Sequence, residues 1–482
     1  MQYKYNKDTN SLELVNKNIV IVNNAITSGN GEGASTITIK TESPNFLGKE
    51  ITLTNGETVL KNRFDNVGNC TISDVPDGVY SISLIADEQT FTTKIEVKSN
   101  YLMDFNASKT YTVMLNQSNG DAAVWGTWAD DAKDLTNATI QEFDDFMGFY
   151  ACCIDRDGNE VCKVDPNDFS KTITGESLPD DVHVMIKFPC RGYRIKRKWI
   201  DGVDYLIVSV TDNLNAESDG FQYITYESKK VSELYIGAYR AFSSNEKLYS
   251  QRGRIFSNGT MTTLRTYAQN NGQGFGLMTF PMLTYLQCCL LIRYKGKRAQ
   301  LSLGKGHYYG SSLTSGYSDT WGYFGGSHNI SDSDTGIKCF GLESLWESPT
   351  TKLDGIYLAS DGYLYISDGT GGYNDFNGYD NIGRCPNGTF WASIPLWLCG
   401  RPSNPEVGDK RLGFISVNSG NEGINGSDSR YLCAKQNFSL PSDVAEHRWL
   451  SFGNVSVGGL FEINAESEYA NHPARLVFCR ID

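Results

Sequence analysis

From residue 34 to about 100, apolar and polar residues alternate through six short runs: STITIKT, EITLTNG, TVLKNRF, NCTISDV, VYSISLIA and FTTKIEV. A period of two sends successive side chains to opposite faces, so each run predicts a strand with one buried face. Turn signals separate the runs, among them Asn55-Gly56 and Pro76-Asp77-Gly78. Short strands at this regular spacing predict an immunoglobulin-like β-sandwich over 34–100. Residues 1–33 are polar and Asn-rich, contain one strand-like run at 18–22, and end in SGNGEGAS, a linker signal. They are expected to form an N-terminal arm or attachment segment. Residues 101–122 are expected to be a strand-like connector, and 123–482 a second, larger domain.

The larger domain opens with a short helix capped near Thr136 or Asn137 and running to about Phe149. From Asp181 the period returns to two in DVHVMIKFPCRGYRIKRKW and VDYLIVSVT, followed by the aromatic-rich run KVSELYIGAYRAF. Around Arg265 the pattern becomes helical. A longer helix is expected from Pro281 to Tyr294, with Leu283, Leu286, Leu290 and Leu291 at helical spacing and Gly296 beyond its end. It is apolar on all sides, so it belongs inside. Two stretches, 303–335 and 366–390, keep no period and are rich in Gly, Ser, Tyr, Asn and Asp. Loops this long are usually functional or disordered. The chain closes on ARLVFCRID, a terminal strand. The fold class expected from the whole pattern is mainly β with some α.

Composition narrows the function classes. The 482 residues carry a net charge of −13, against the clustered Lys and Arg that phosphate binding requires. Nucleic acid is therefore not expected as a partner. The one basic cluster, 191–198, reads as a solvated strand face. No run approaches the ~20 apolar residues of a membrane helix, and the start lacks the apolar core of an export signal. The 12 cysteines form no CxxC, and two adjacent pairs, Cys152-Cys153 and Cys288-Cys289, stand out. They read as reduced and mostly buried thiols of a protein made in a cytosol.

Motifs of catalysis are not evident. Asp155, Asp157 and Asn159 resemble the start of a calcium loop, but Pro166 occupies the twelfth position, where a bidentate Glu is needed. That segment is read as a hairpin turn. The five histidines fall in no metal-binding spacing, and His307 and His328 are read as surface or packing residues. Asp144/Asp145 and Asp332/Asp334 are read as loop or cap residues, and no nucleophile elbow or phosphate-binding loop occurs. No catalytic residue, metal ligand or cofactor is assigned. Aromatic surface chemistry remains. Tyr308, Tyr309, Tyr317, Trp321, Tyr323 and Phe324 in the first long loop, and Tyr373, Phe376 and Tyr379 in the second, are the candidate ligand-binding residues. Tyr and Trp give large contact areas at low entropic cost, while neighbouring Ser, Gly and Asn adapt their hydrogen bonds.

Several segments, in order, carry a resemblance. They are DVHVMIKFPCRGYRI, ELYIGAYRAF, TLRTYAQNNGQGFGLMTFPMLTYLQCCLLIRYKGKRAQLSLGKG, GIKCFGLESLWESPTTKLDGI and the ending RWLSFGNVSVGGLFEINAESEYANHPARLVFCRID. Over about residues 123–482 the chain resembles a family of tailed-bacteriophage structural proteins. That family is similar in its core to the C-type-lectin-like fold of formylglycine-generating enzymes and of diversified phage receptor-binding proteins. The resemblance implies a scaffold displaying long loops for adhesion to a bacterial surface glycan or protein. It implies attachment to other virion proteins through the N-terminal region, a homotrimer, and a place in the virion after assembly in host cytoplasm. A tail fibre or receptor-binding adhesin is the first reading. A head fibre or capsid-decorating protein, a surface-glycan hydrolase and a purely structural tail component are alternatives. Cys433 and Cys479 are the nearest counterparts of the enzymes' cysteine pair, but Cys479 is out of step, so oxidase chemistry is not carried over. Trp346 and Glu347, with Ser344 where the family has Asn, correspond to packing positions.

Overall fold

The computed structural model describes residues 3–6, 11–14, 19–23, 34–41, 47–66, 69–76, 78–86, 89–97, 108–116, 126–214, 216–226, 229–296, 299–308, 313–327, 335–360, 362–367, 380–384, 388–392, 434–438, 448–453, 459–466 and 472–481. It is mostly β, with 44% strand against 15% helix. The chain divides into two compact units, 1–109 and 110–482.

In the first unit all six expected runs are strands, arranged in two antiparallel sheets. One holds Ile19–Asn23, Ala34–Thr41 and Asn69–Pro76. The other runs Val59–Arg63, Glu50–Thr54, Gly78–Ala86, Gln89–Val97. Ile51 and Leu53 are buried on one face of their strand, as the alternation requires. The Asn55-Gly56 turn forms as expected: Asn55 Oδ1 accepts from the backbone N–H of Glu57 at 3.0 Å and of Thr58 at 2.7 Å, and Gly56 takes φ 95°. The expected arm is more structured than its composition indicated. It supplies Ile19–Asn23 to the first sheet and forms a hairpin of Tyr3–Asn6 with Ser11–Leu14.

Among the described residues the second unit holds three large sheets and two two-stranded ones. The first runs Asp168–Thr172, Glu160–Asp165, Tyr150–Ile154, His183–Pro189, Lys229–Gly237, Leu476–Ile481, Phe275–Leu277. The terminal strand expected from ARLVFCRID is thus an inner strand, and the chain's end closes its own core. The second sheet runs Thr127–Asp130, Thr110–Asn116, Val203–Thr211, Gly192–Ile200. The strand character expected of 101–122 is found at Thr110–Asn116, which belongs to the second unit as an inner strand: its pattern TYTVMLN buries Tyr111, Val113 and Leu115, which need a sheet to lie on. The third sheet centres on Thr351–Leu358 and Arg448–Phe452.

Among the described residues the α-helices are α1 Gln141–Met147, α2 Met261–Gln269, α3 Phe280–Tyr294 and α4 Ala299–Leu303. Helix α1 starts later than expected. Thr136 and Thr139 bond each other's backbone and side chains and hold the preceding residues in turns, and Gly148 at φ 62° ends the helix. Helix α3 matches its sequence signal to within a residue. Every position from Met282 to Ile292 is buried. It is held by Trp128 Nε1 donating to Ile292 O at 2.7 Å and by Gln287 Nε2 donating to Leu460 O at 3.0 Å. No helix among the described residues is long and apolar enough to cross a membrane.

The segments that carried the resemblance meet in space. Arg265 of α2 lies fork to fork against Asp354, with Nε 2.8 Å from Oδ2 and both side chains buried. Paired and hydrogen-bonded burial is the condition under which two charges are tolerated inside a protein. The strand 192–200, carrying the basic cluster, is the edge of its sheet, but the cluster is not the solvated face expected: Arg191 and Arg194 are half-buried and lie over the Phe146 and Phe221 rings. The Asp155 segment is a hairpin turn: Asp155 Oδ1 accepts from the N–H groups of Asp157 at 2.9 Å and Asn159 at 2.8 Å.

A candidate binding loop clamped by buried polar side chains

The first long loop, 303–335, leaves α4 and returns into a two-stranded ribbon, Lys338–Cys339 with Leu342–Glu343. The ribbon turns on Phe340 and Gly341, at φ 53° and 78°. Two successive positive φ values are what a two-residue hairpin demands, and Phe340 tolerates the strain because its ring is buried against Phe149, Phe188 and Phe324.

Three buried acids grip the loop. Glu343 accepts from the backbone N–H of Gly316 at 3.0 Å, and from Ser318 N at 3.0 Å and Ser318 Oγ at 2.7 Å. Burial pushes its carboxyl up to about 7, against those hydrogen bonds. Glu347 Oε1 accepts from Tyr317 Oη at 2.7 Å and from Ile337 N at 2.8 Å. Asp319 accepts from Tyr239 Oη at 2.5 Å and pairs with Arg252 Nε at 2.9 Å.

Three buried cations complete the clamp. Lys338 has no exposed surface; its Nζ donates to Ser318 O at 3.1 Å and sits 3.3 Å from the Phe169 ring centre. Burial lowers its ammonium to about 8. Arg475, also fully buried, donates to Gly237 O at 2.7 Å, Ala238 O at 3.2 Å and Glu343 O at 2.6 Å, tying the terminal strand to the ribbon. Burial first, and then the nearby Arg240, bring its guanidinium down to about 9. Arg240 donates to Glu347 O at 3.2 Å and Pro349 O at 2.8 Å.

Close packing fixes the rest. Trp346 is fully buried and donates to Gly304 O at 3.1 Å at the loop's entrance. A Cβ at Gly326 would lie 1.9 Å from Leu303 O, and one at Gly336 would lie 2.3 Å from the Tyr317 ring.

The predicted aromatic residues divide between the two sides of this clamp. Tyr308 points outward, 51% exposed. Trp321 is half-buried and lies edge-on to Tyr317, ring centres 5.7 Å apart. Tyr317, Tyr323 and Phe324 turn inward, contrary to the picture of all these rings offered together. The Tyr317 hydroxyl is enclosed between Ser344 Oγ at 3.0 Å and Glu347. The Tyr323 ring packs on Phe149 and Phe169, and its hydroxyl accepts from Ala151 N at 3.2 Å. Phe324 lies against Phe149 and Phe340 and under the Arg293 guanidinium at 3.6 Å. Tyr309, Tyr373, Phe376 and Tyr379 lie outside the described residues, as do His328, Asp332, Asp334 and Asp375. Asp380 begins the described edge strand Asp380–Arg384. Among the described residues no cluster of His, Cys, Asp or Glu is placed to hold a metal ion.

Sequence reasoning missed the clamp itself. Its signal was present in IKCFGLESLWE, where Lys338, Glu343 and Glu347 interrupt an otherwise apolar run at positions that must be buried with it. No family model matches the chain, and no curated protein matches it.

Proposed function

We propose that the chain is a bacteriophage virion protein, a tail fibre or receptor-binding adhesin, that presents the 303–335 loop to the bacterial surface. On this reading 123–482 is a C-type-lectin-like scaffold, the first unit is an immunoglobulin-like spacer, and the N-terminal region joins other virion proteins in a homotrimer. The observation that carries the reading is the clamp. Glu343, Glu347, Asp319, Lys338 and Arg475 are buried together, and their hydrogen bonds tie the loop to the ribbon beneath it and to residues 237–239. Burying that many charges is costly unless each is paired. The arrangement fits a need for one fixed loop shape, with Tyr308 outward and Trp321 at the rim. A preorganised loop bearing aromatic side chains suits sugar rings or a protein surface, since less conformational freedom is lost on binding.

The test is binding of purified full-length protein to intact susceptible bacteria, with Tyr308→Ala and Trp321→Ala beside it. Saturable binding that weakens in both variants supports the reading. Absence of binding to every susceptible host removes it.

A further inference from the structure

The antiparallel register of Tyr150–Ile154 with Glu160–Asp165 sets Cys153 directly opposite Cys162. Directly paired residues on antiparallel strands place their side chains on the same face, with Cβ atoms about 4.5–5.5 Å apart. A disulfide needs Cβ atoms at about 3.5–4.5 Å, a small adjustment from there. Cys152, next in sequence, pairs with Lys163 and faces the other side of the sheet, in a different part of the core. A bulge follows at once: Ile154 pairs with Glu160, leaving Val161 unpaired and half exposed. Bulges sharpen local twist and open strand ends. Cys162 is the one described cysteine that is not fully buried, while Cys153 has no exposed surface.

We propose that Cys153 and Cys162 form a cross-strand disulfide when the folded protein meets a small-molecule disulfide, and that the bond staples the two strands together. Cys162, as the accessible thiolate, attacks the small disulfide and releases one small thiolate. Cys153 then attacks the Cys162 sulfur and expels the second. The protons of the two cysteine thiols pass to the two departing thiolates. The balance is two protein thiols and one small disulfide giving one protein disulfide and two small thiols. Cys153 has no exposed surface, so outside reagents do not reach it, and Cys162 is the point of entry. The staple has a structural consequence for the loop. Strand Asp168–Thr172 pairs with the Cys162 strand, and its Phe169 supports Tyr323 and Lys338. The proposal is independent of what the loop binds.

The test incubates reduced, full-length native protein with glutathione disulfide, alkylates remaining thiols after denaturation, and maps peptides by fragmentation. The expected result is a loss of two hydrogens from the intact mass and a bridged peptide joining 153 to 162. Dithiothreitol should restore both thiols. Cys162→Ser should show neither the bridge nor a glutathione adduct at this strand pair, while circular dichroism confirms that it is folded. Recovery of Cys153 and Cys162 both alkylated overturns the proposal. So does a glutathione adduct that persists on Cys162, or a bridge from Cys162 to any cysteine other than Cys153.

Discussion

Tyr317→Phe separates the residues that hold the loop from those it displays. The substitution keeps the ring, and with it the contact that leaves no space for a side chain at Gly336. It removes only the hydroxyl, which bridges Ser344 Oγ at 3.0 Å and Glu347 Oε1 at 2.7 Å. A hydrogen bond to a charged group is worth about 1.5–3 kcal/mol. The carboxylate left behind is fully buried, has no partner on Oε2, and retains only Ile337 N on Oε1. The loss should therefore fall near the upper end, about 2–3 kcal/mol. Urea unfolding followed by tryptophan fluorescence is the assay, since Trp321 lies edge-on to the altered ring and reports local release as well as global unfolding. Tyr308→Ala, at a 51% exposed position, is the matched control and should cost under about 0.5 kcal/mol. A Tyr317→Phe loss no larger than that of Tyr308→Ala would refute the claim that the phenol is a structural anchor.

Gly326→Ala forces a Cβ against Leu303 O, a backbone atom that cannot step aside, and should cost about 1–3 kcal/mol by thermal or urea unfolding; an unchanged midpoint would mean the loop's return path is not packed there. His183 is fully buried between the Tyr249 and Phe275 rings, neither ring nitrogen has a partner, and burial lowers its imidazole to about 4 from the usual 6.5. The unfolded chain takes up this proton below about 6.5 and the folded chain does not until about 4, so stability is full above that window and falls through it by about 3 kcal/mol; His183→Phe should flatten this acid limb, and an unaltered pH profile would contradict the assignment. Glu343 has the opposite sign. Its folded carboxyl is raised to about 7, so its contribution is full below about 4.5 and declines as pH rises through 7. Glu343→Gln should remove that decline between about pH 4.5 and 7, and a variant whose stability still falls over the same range would show that the decline originates elsewhere.

Much of the scaffold was legible from hydrophobic period. The strands of the first unit alternate cleanly, and α3 carries four leucines at helical spacing inside an apolar run, so single-sequence patterns placed them well. The inner strand Thr110–Asn116 was harder, because the sequence after it is polar and its partner Val203–Thr211 lies some ninety residues on. The start of α1 was misjudged because Thr136 and Thr139 satisfy one another, and a capping pair cannot be distinguished by sequence from a self-contained turn. The direction of the loop aromatics was not legible at all. A Gly/Ser/Tyr composition states what a loop can touch, while the choice of inward for Tyr317, Tyr323 and Phe324 and outward for Tyr308 depends on acids and cations brought in from distant strands. Lys338, Glu343 and Arg475 were passed over for a related reason: such residues are almost always on the surface unless paired, and pairing is a property of the fold.

The most direct test of the central claim is the binding of full-length protein to susceptible bacterial cells, measured for the wild type, for Tyr308→Ala/Trp321→Ala and for Tyr317→Phe. An anchored display loop predicts saturable binding that the double variant loses while remaining as stable as the wild type within about 1 kcal/mol, and that Tyr317→Phe keeps below its own unfolding range. Binding unaffected by the double variant, or absent for the wild type on every susceptible host, would contradict it.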